Sequence, residues 1–76
     1  MAREDEWDAA IDKYRRAIQA DRAYARAYAN LSFALNKVGK HEEAIQVSTQ
    51  GLDLASSFTD RHRLHDHRGF AKSRLN

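Results

Sequence analysis

Apolar side chains recur at steps of three and four along most of the chain. Trp7, Ala10, Ile11, Tyr14, Ala17 and Ile18 fall on one stripe of a helix predicted over residues 4–20. Asp5 and Glu6 stand near its start, where the helix dipole favours negative charge. Ala27, Tyr28, Leu31, Ala34, Leu35 and Val38 give a second stripe over residues 23–38. Ala44, Ile45, Val47, Leu52 and Leu54 give a third over residues 41–56, with Glu42 and Glu43 in its first turn. The segment reaching Leu75 has a sparser set, Leu64, Phe70, Ala71 and Leu75, and reads as a fourth helix.

The breaks between these stripes differ in strength. Gly39 ends the second helix in the C′ position, which glycine fills because it accepts positive φ. Residues 56–60 form a polar break, with Thr59 or Asp60 as the expected N-cap of the fourth helix. At Asp21-Arg22 no glycine or proline enforces a stop, so local sequence also allows one continuous helix over residues 4–38. A turn is the reading adopted, and it marks the place where copies would exchange elements.

Composition narrows the choices. The 76 residues allow one small domain, and a chain of this size buries only about 60% of its unfolded surface. No cysteine is present, so disulfides and thiolate chemistry are excluded. Three glycines and no proline suit helices better than the many turns of an all-β fold. The net charge of +2, from 13 basic and 11 acidic side chains, implies no broad field for a polyanion. Its sign is uneven, acidic over the first dozen residues and basic after residue 60, with Arg61, Arg63, Arg68, Lys72 and Arg74. No apolar run nears the roughly 18 residues of a membrane span. No signal-peptide pattern follows Met1, and a soluble, cytoplasmic protein is expected.

Comparing the chain with itself adds order. A shift of 34 residues lays the first helix on the third: Ala10 meets Ala44, Ile11 meets Ile45, Ala17 meets Gly51 and Ile18 meets Leu52. A shift of 37 lays the second helix on the fourth: Arg26 meets Arg63, Phe33 meets Phe70, Ala34 meets Ala71 and Lys37 meets Arg74. On Tyr28, Leu31, Ser32, Ala34, Leu35, Gly39, Ala44 and Ile45 the chain resembles the tetratricopeptide repeat (TPR) family. Gly51, and Gly69 before Phe70 and Ala71, take its small-residue places. Trp7, Ala10, Ile11, Tyr14 and Ala17 match the second half of a repeat. Ser48 departs from the pattern, standing where an aromatic is usual, and the turns lack proline.

That resemblance implies an all-α chain of antiparallel helix hairpins, a TPR-type α-solenoid of about four helices. Residues 1–21 would supply a second-half helix, 22–57 a complete hairpin and 58–76 a first-half helix. Such units bury their faces by stacking, so apolar edges are expected at both ends, covered by further repeats or by self-association. The implied role is protein–protein interaction in a concave groove. The residues expected to face it are Arg26, Ala29, Asn30, Phe33 and Lys37, then Arg63, Asp66, His67, Phe70 and Arg74. The helical steps alone place Arg26, Asn30, Phe33 and Lys37 beside the buried stripe. A basic groove with aromatic floors suits a peptide or an acidic C-terminal tail. A complete carboxylate clamp of the chaperone-binding kind is not expected, since only Asn30 and Arg63 match it.

Other chemistry finds little support. His62, His65 and His67 follow H-x2-H-x-H, but no cysteine or paired carboxylate completes a tetrahedral zinc set, so no metal or cofactor is expected. No phosphate loop, nucleophile elbow or HExxH motif is present, and Ser48 and Thr49 read as ordinary helix positions, so no enzyme is expected. The basic tail is short and interrupted by Asp66, which ranks nucleic acid low. The alternative to a groove is a helical self-association segment that uses its exposed edges to form homo-oligomers.

Overall fold

The computed structural model describes residues 4–55 and 58–75. They form four helices, α1 (Glu4–Ala20), α2 (Ala25–Lys37), α3 (His41–Leu54) and α4 (Phe58–Leu75), with no strand among the described residues. They make a slab of 32 × 30 × 18 Å. α2 touches each of the other three helices, and α3 packs on both α2 and α4. α1 packs on α2 alone and reaches α3 through an ion pair between Arg15 and Glu43.

The chain does bend after α1. The Asp21 carboxylate accepts the Ala23 amide at 3.1 Å, and the Asp21 carbonyl accepts the Tyr24 amide at 3.1 Å. This side-chain turn uses aspartate's ability to bond the backbone two residues on. The Tyr28 hydroxyl donates to the Arg22 carbonyl at 3.0 Å and holds the turn against α2. As a result α2 begins at Ala25, two residues later than its apolar pattern predicts.

At the next turn Gly39 has φ of 84°. Its amide donates to the Asn36 carbonyl at 3.2 Å, and the Lys40 amide donates to the Leu35 carbonyl at 2.9 Å. This pair of bonds is a Schellman motif, and it satisfies two carbonyls that the helix end would leave open. α3 ends at Leu54, not at residue 56. Arg61 reaches back from α4 and donates to the carbonyls of Leu52 at 3.0 Å and Ala55 at 3.3 Å. The third break is shorter than its composition suggested. α4 already starts at Phe58, so Thr59 and Asp60 are not N-caps, and Asp60 lies in the first turn where its charge complements the dipole. Ser56 and Ser57 lie outside the described residues.

The core is built around α2. Ala27, Tyr28, Leu31, Ala34 and Leu35 are buried as their spacing predicts, and Ala25, Ala29, Ser32 and Asn36 join them. A helix with neighbours on three sides is buried almost all round. From α3 come Ala44, Val47 and Leu52, and from α4 Leu64 and Ala71. Ser48 is fully buried and donates its hydroxyl to the Ala44 carbonyl at 2.7 Å. Three residues on, α3 approaches its neighbours closely. A Cβ on Gly51 would stand 2.7 Å from Leu64 Cδ2 and 2.8 Å from Tyr28 Cβ.

Several apolar positions are less buried than their stripes imply. In the apolar stripe of α1, Ile11 is buried, while Trp7, Tyr14 and Ile18 are partly covered against the core. Ala10 is half-exposed where its counterpart Ala44 is sealed, because α1 has one packing neighbour and α3 has two. Leu54 at 42% exposure, Phe70 at 49% and Leu75 at 47% leave the core set altogether. His65 and Lys72 are exposed and make one face of α4 polar. Gly69 is also exposed with open space around it, and serves no close approach.

Candidate functional site

A cavity of about 440 Å³ opens between α2 and α4. Phe33, Asn36 and Lys37 line it from α2, and Asp66, His67, Phe70 and Arg74 from α4. The two helices are held together here by one buried side chain. The Asn36 amide donates to the His67 carbonyl at 2.9 Å, and its oxygen lies 2.8 Å from Nδ1 of His41. That geometry has the His41 ring donating through Nδ1. Both ends of the amide are thereby used in joining α2, α3 and α4.

The apolar walls are Phe33 and Phe70, the first 40% exposed. Phe33 sits in a row of edge-to-face rings that crosses three helices. Its centroid is 5.8 Å from that of Trp7 on α1 and 5.3 Å from that of His67 on α4. Phe70 meets the His41 ring at 6.0 Å. Each phenyl also carries a cation from one turn further along its own helix. Lys37 Nζ lies 5.1 Å from the Phe33 centroid, and the Arg74 guanidinium 5.5 Å from that of Phe70.

Of the residues expected to face a groove, Phe33, Lys37, Asp66, His67, Phe70 and Arg74 are brought together in this cavity. Arg26, Asn30 and Arg63 are not among its lining. Arg26 turns to Asp60, with 3.8 Å between guanidinium and carboxylate. Asn30 is half-buried and Arg63 exposed. Ala29 is fully buried, because α4 covers that side of α2. Asn36 was missed by the helical pattern. Its one sequence signal is its place one turn past Phe33 and three residues before Gly39.

The histidines go separate ways. His62 faces the Asp66 carboxylate at 3.4 Å, His65 the Arg68 guanidinium at 3.4 Å, and His67 turns inward to Phe33. Among the described residues no three histidine, cysteine, aspartate or glutamate side chains converge as metal ligands. Burial pushes the His67 pKa below its ordinary 6.5; Asp66 opposes this and Arg63 adds to it. The folded chain therefore holds a neutral imidazole more firmly than the unfolded chain does. The unfolded state binds more protons once pH falls below 6.5, so this contribution is present above that value and is lost as acid titrates the folded ring. Urea midpoints taken at about pH 7 and about pH 5 are expected to fall more for the native chain than for His67→Gln. Equal falls in the two proteins would remove His67 as their source.

Comparison of the chain with family models, with curated proteins and with solved structures returns no match.

Proposed function

We propose that this chain is a protein-interaction module of the TPR type whose α2–α4 cavity receives an acidic peptide segment. The observation that carries this reading is the lining of that cavity: two phenyl walls and two cations around a space of about 440 Å³. Exposed aromatic rings beside basic groups form a surface that binds apolar and anionic groups together. The order of packing supports the repeat reading, since α4 rests on the two helices before it, as stacked hairpins do.

The test uses a fluorescent peptide of alternating acidic and aliphatic residues, followed by anisotropy. Lys37→Glu with Arg74→Glu is expected to weaken its binding by about tenfold or more, equal to about 1.4 kcal/mol. Both side chains are exposed, so helicity by circular dichroism should stay unchanged. Undiminished binding by the doubly reversed variant would discard the cavity as the site.

A second reading, self-association, is favoured by apolar surface outside the cavity. Tyr24, Leu54 and Leu75 are exposed, and the Trp7 to Ile18 stripe is only partly covered. Under it, Leu54→Glu lowers the mass in solution while peptide capture persists.

A further inference from the structure

The two halves of the cavity are the same local device used twice. Phe33 and Lys37 stand four residues apart on α2, Phe70 and Arg74 four apart on α4, and the 37-residue shift superposes the pairs in sequence. In each, the cation lies over the ring of its own helix. We infer that the cavity binds two acidic side chains of one extended peptide, spaced three residues apart, one at each phenylalanine–cation pair. The inference rests on the groove reading above and specifies its ligand.

The argument starts from what each pair offers. A cation over a phenyl face at an exposed site is held weakly, whereas a carboxylate gives the same cation a charge-assisted hydrogen bond. The freed ring face is then open to an apolar neighbour on the ligand. One acid would satisfy one pair and leave the other unused. The spacing follows from the fold. α2 and α4 are packed helices, whose axes lie about 8–10 Å apart. A peptide crossing them in polyproline II conformation rises about 3.1 Å per residue with three residues per turn. Residues n and n+3 therefore point the same way at about 9 Å separation, which matches the distance between the helices. Asp66 belongs to the same lining, and its charge disfavours a third anion near the α4 wall. Asn36 is committed to His67 and His41 and takes no part in the count.

The experiment measures anisotropy with labelled peptides of one composition, their two glutamates placed at n and n+1, n and n+3, or n and n+7 in otherwise Ala/Leu/Pro sequences. The n+3 peptide is expected to bind about tenfold tighter than the other two. Removing either of its acids should make one cation expendable. Lys37→Ala should then weaken binding of one single-acid peptide and not the other, with Arg74→Ala showing the reverse. Equal binding of all three spacings, still abolished by Phe33→Ala, would leave the groove reading standing and overturn the paired-site inference. Preference for n+7 would overturn it too, since that spacing serves a helical ligand. Failure of every peptide to bind a fully helical protein would overturn the groove reading itself.

Discussion

Leu35→Ala is expected to remove most of the stability of this chain. Leu35 is fully buried on the one helix that touches the other three. Its backbone carbonyl also accepts the Lys40 amide that closes the Gly39 turn. Truncating such a leucine costs about 2–5 kcal/mol, with the larger values where the surroundings cannot collapse. A chain of 76 residues has about 4–11 kcal/mol in total. The variant should therefore melt about 10–30 °C below the native protein or be unfolded at the outset. Leu54→Ala is the control, because that side chain is 42% exposed and its removal should shift the midpoint little. Urea and thermal melts followed by circular dichroism read both. Matching midpoints for the two variants would show that the helices do not pack around α2.

What the sequence allowed to be read follows from what each element needs. α1 and the Gly39 turn are written in local signals, a repeating apolar step and a residue that accepts positive φ. The bend at Asp21 has no such signal by composition. It depends on a carboxylate bonding the next-but-one amide and on a tyrosine hydroxyl that reaches back six residues from α2. α4 was the hardest to place for a physical reason. Its buried apolar residues are Leu64 and Ala71, seven residues apart, while Phe70 and Leu75 stay exposed.

The cavity divides along the same line. Phe33, Lys37, Phe70 and Arg74 share a helix face at steps of four, so periodicity alone groups them within each helix. That Arg26 instead turns to Asp60 depends on where α4 begins, and the composition of the break placed that start too late. Asn36 joins the site through the carbonyl of His67, a partner that any residue type would provide. A sequence pattern has no mark for such a bond. The buried amide is also the piece that fixes α4 against α2, so the width of the cavity rests on a residue that the stripes assign to the surface.

Alanine at Gly51 and alanine at Gly69 should move stability in opposite directions, although both glycines are helical. At Gly69 the added methyl meets nothing within 4 Å and the position is exposed. There the change removes only the entropic penalty of glycine in a helix interior, a gain of about 1 kcal/mol. The same gain is available at Gly51, but its new Cβ would lie 2.7 Å from Leu64 Cδ2 and 2.8 Å from Tyr28 Cβ. Leu64 is fully buried, and a tyrosine Cβ moves only with its backbone. α3 must therefore retreat from α2 and α4 together. Overpacking of this kind costs about 1–3 kcal/mol, and because backbone must move here the upper half of that range applies, which exceeds the helix gain and leaves a net loss of up to about 2 kcal/mol. Ser48 and Ala44, buried on the same face of α3, would lose packing as the helix moves out. Urea midpoints of the two variants should fall on either side of the native value. If Gly51→Ala were as stabilising as Gly69→Ala, α3 could not be seated against α2 and α4 at the distance that excludes a methyl group.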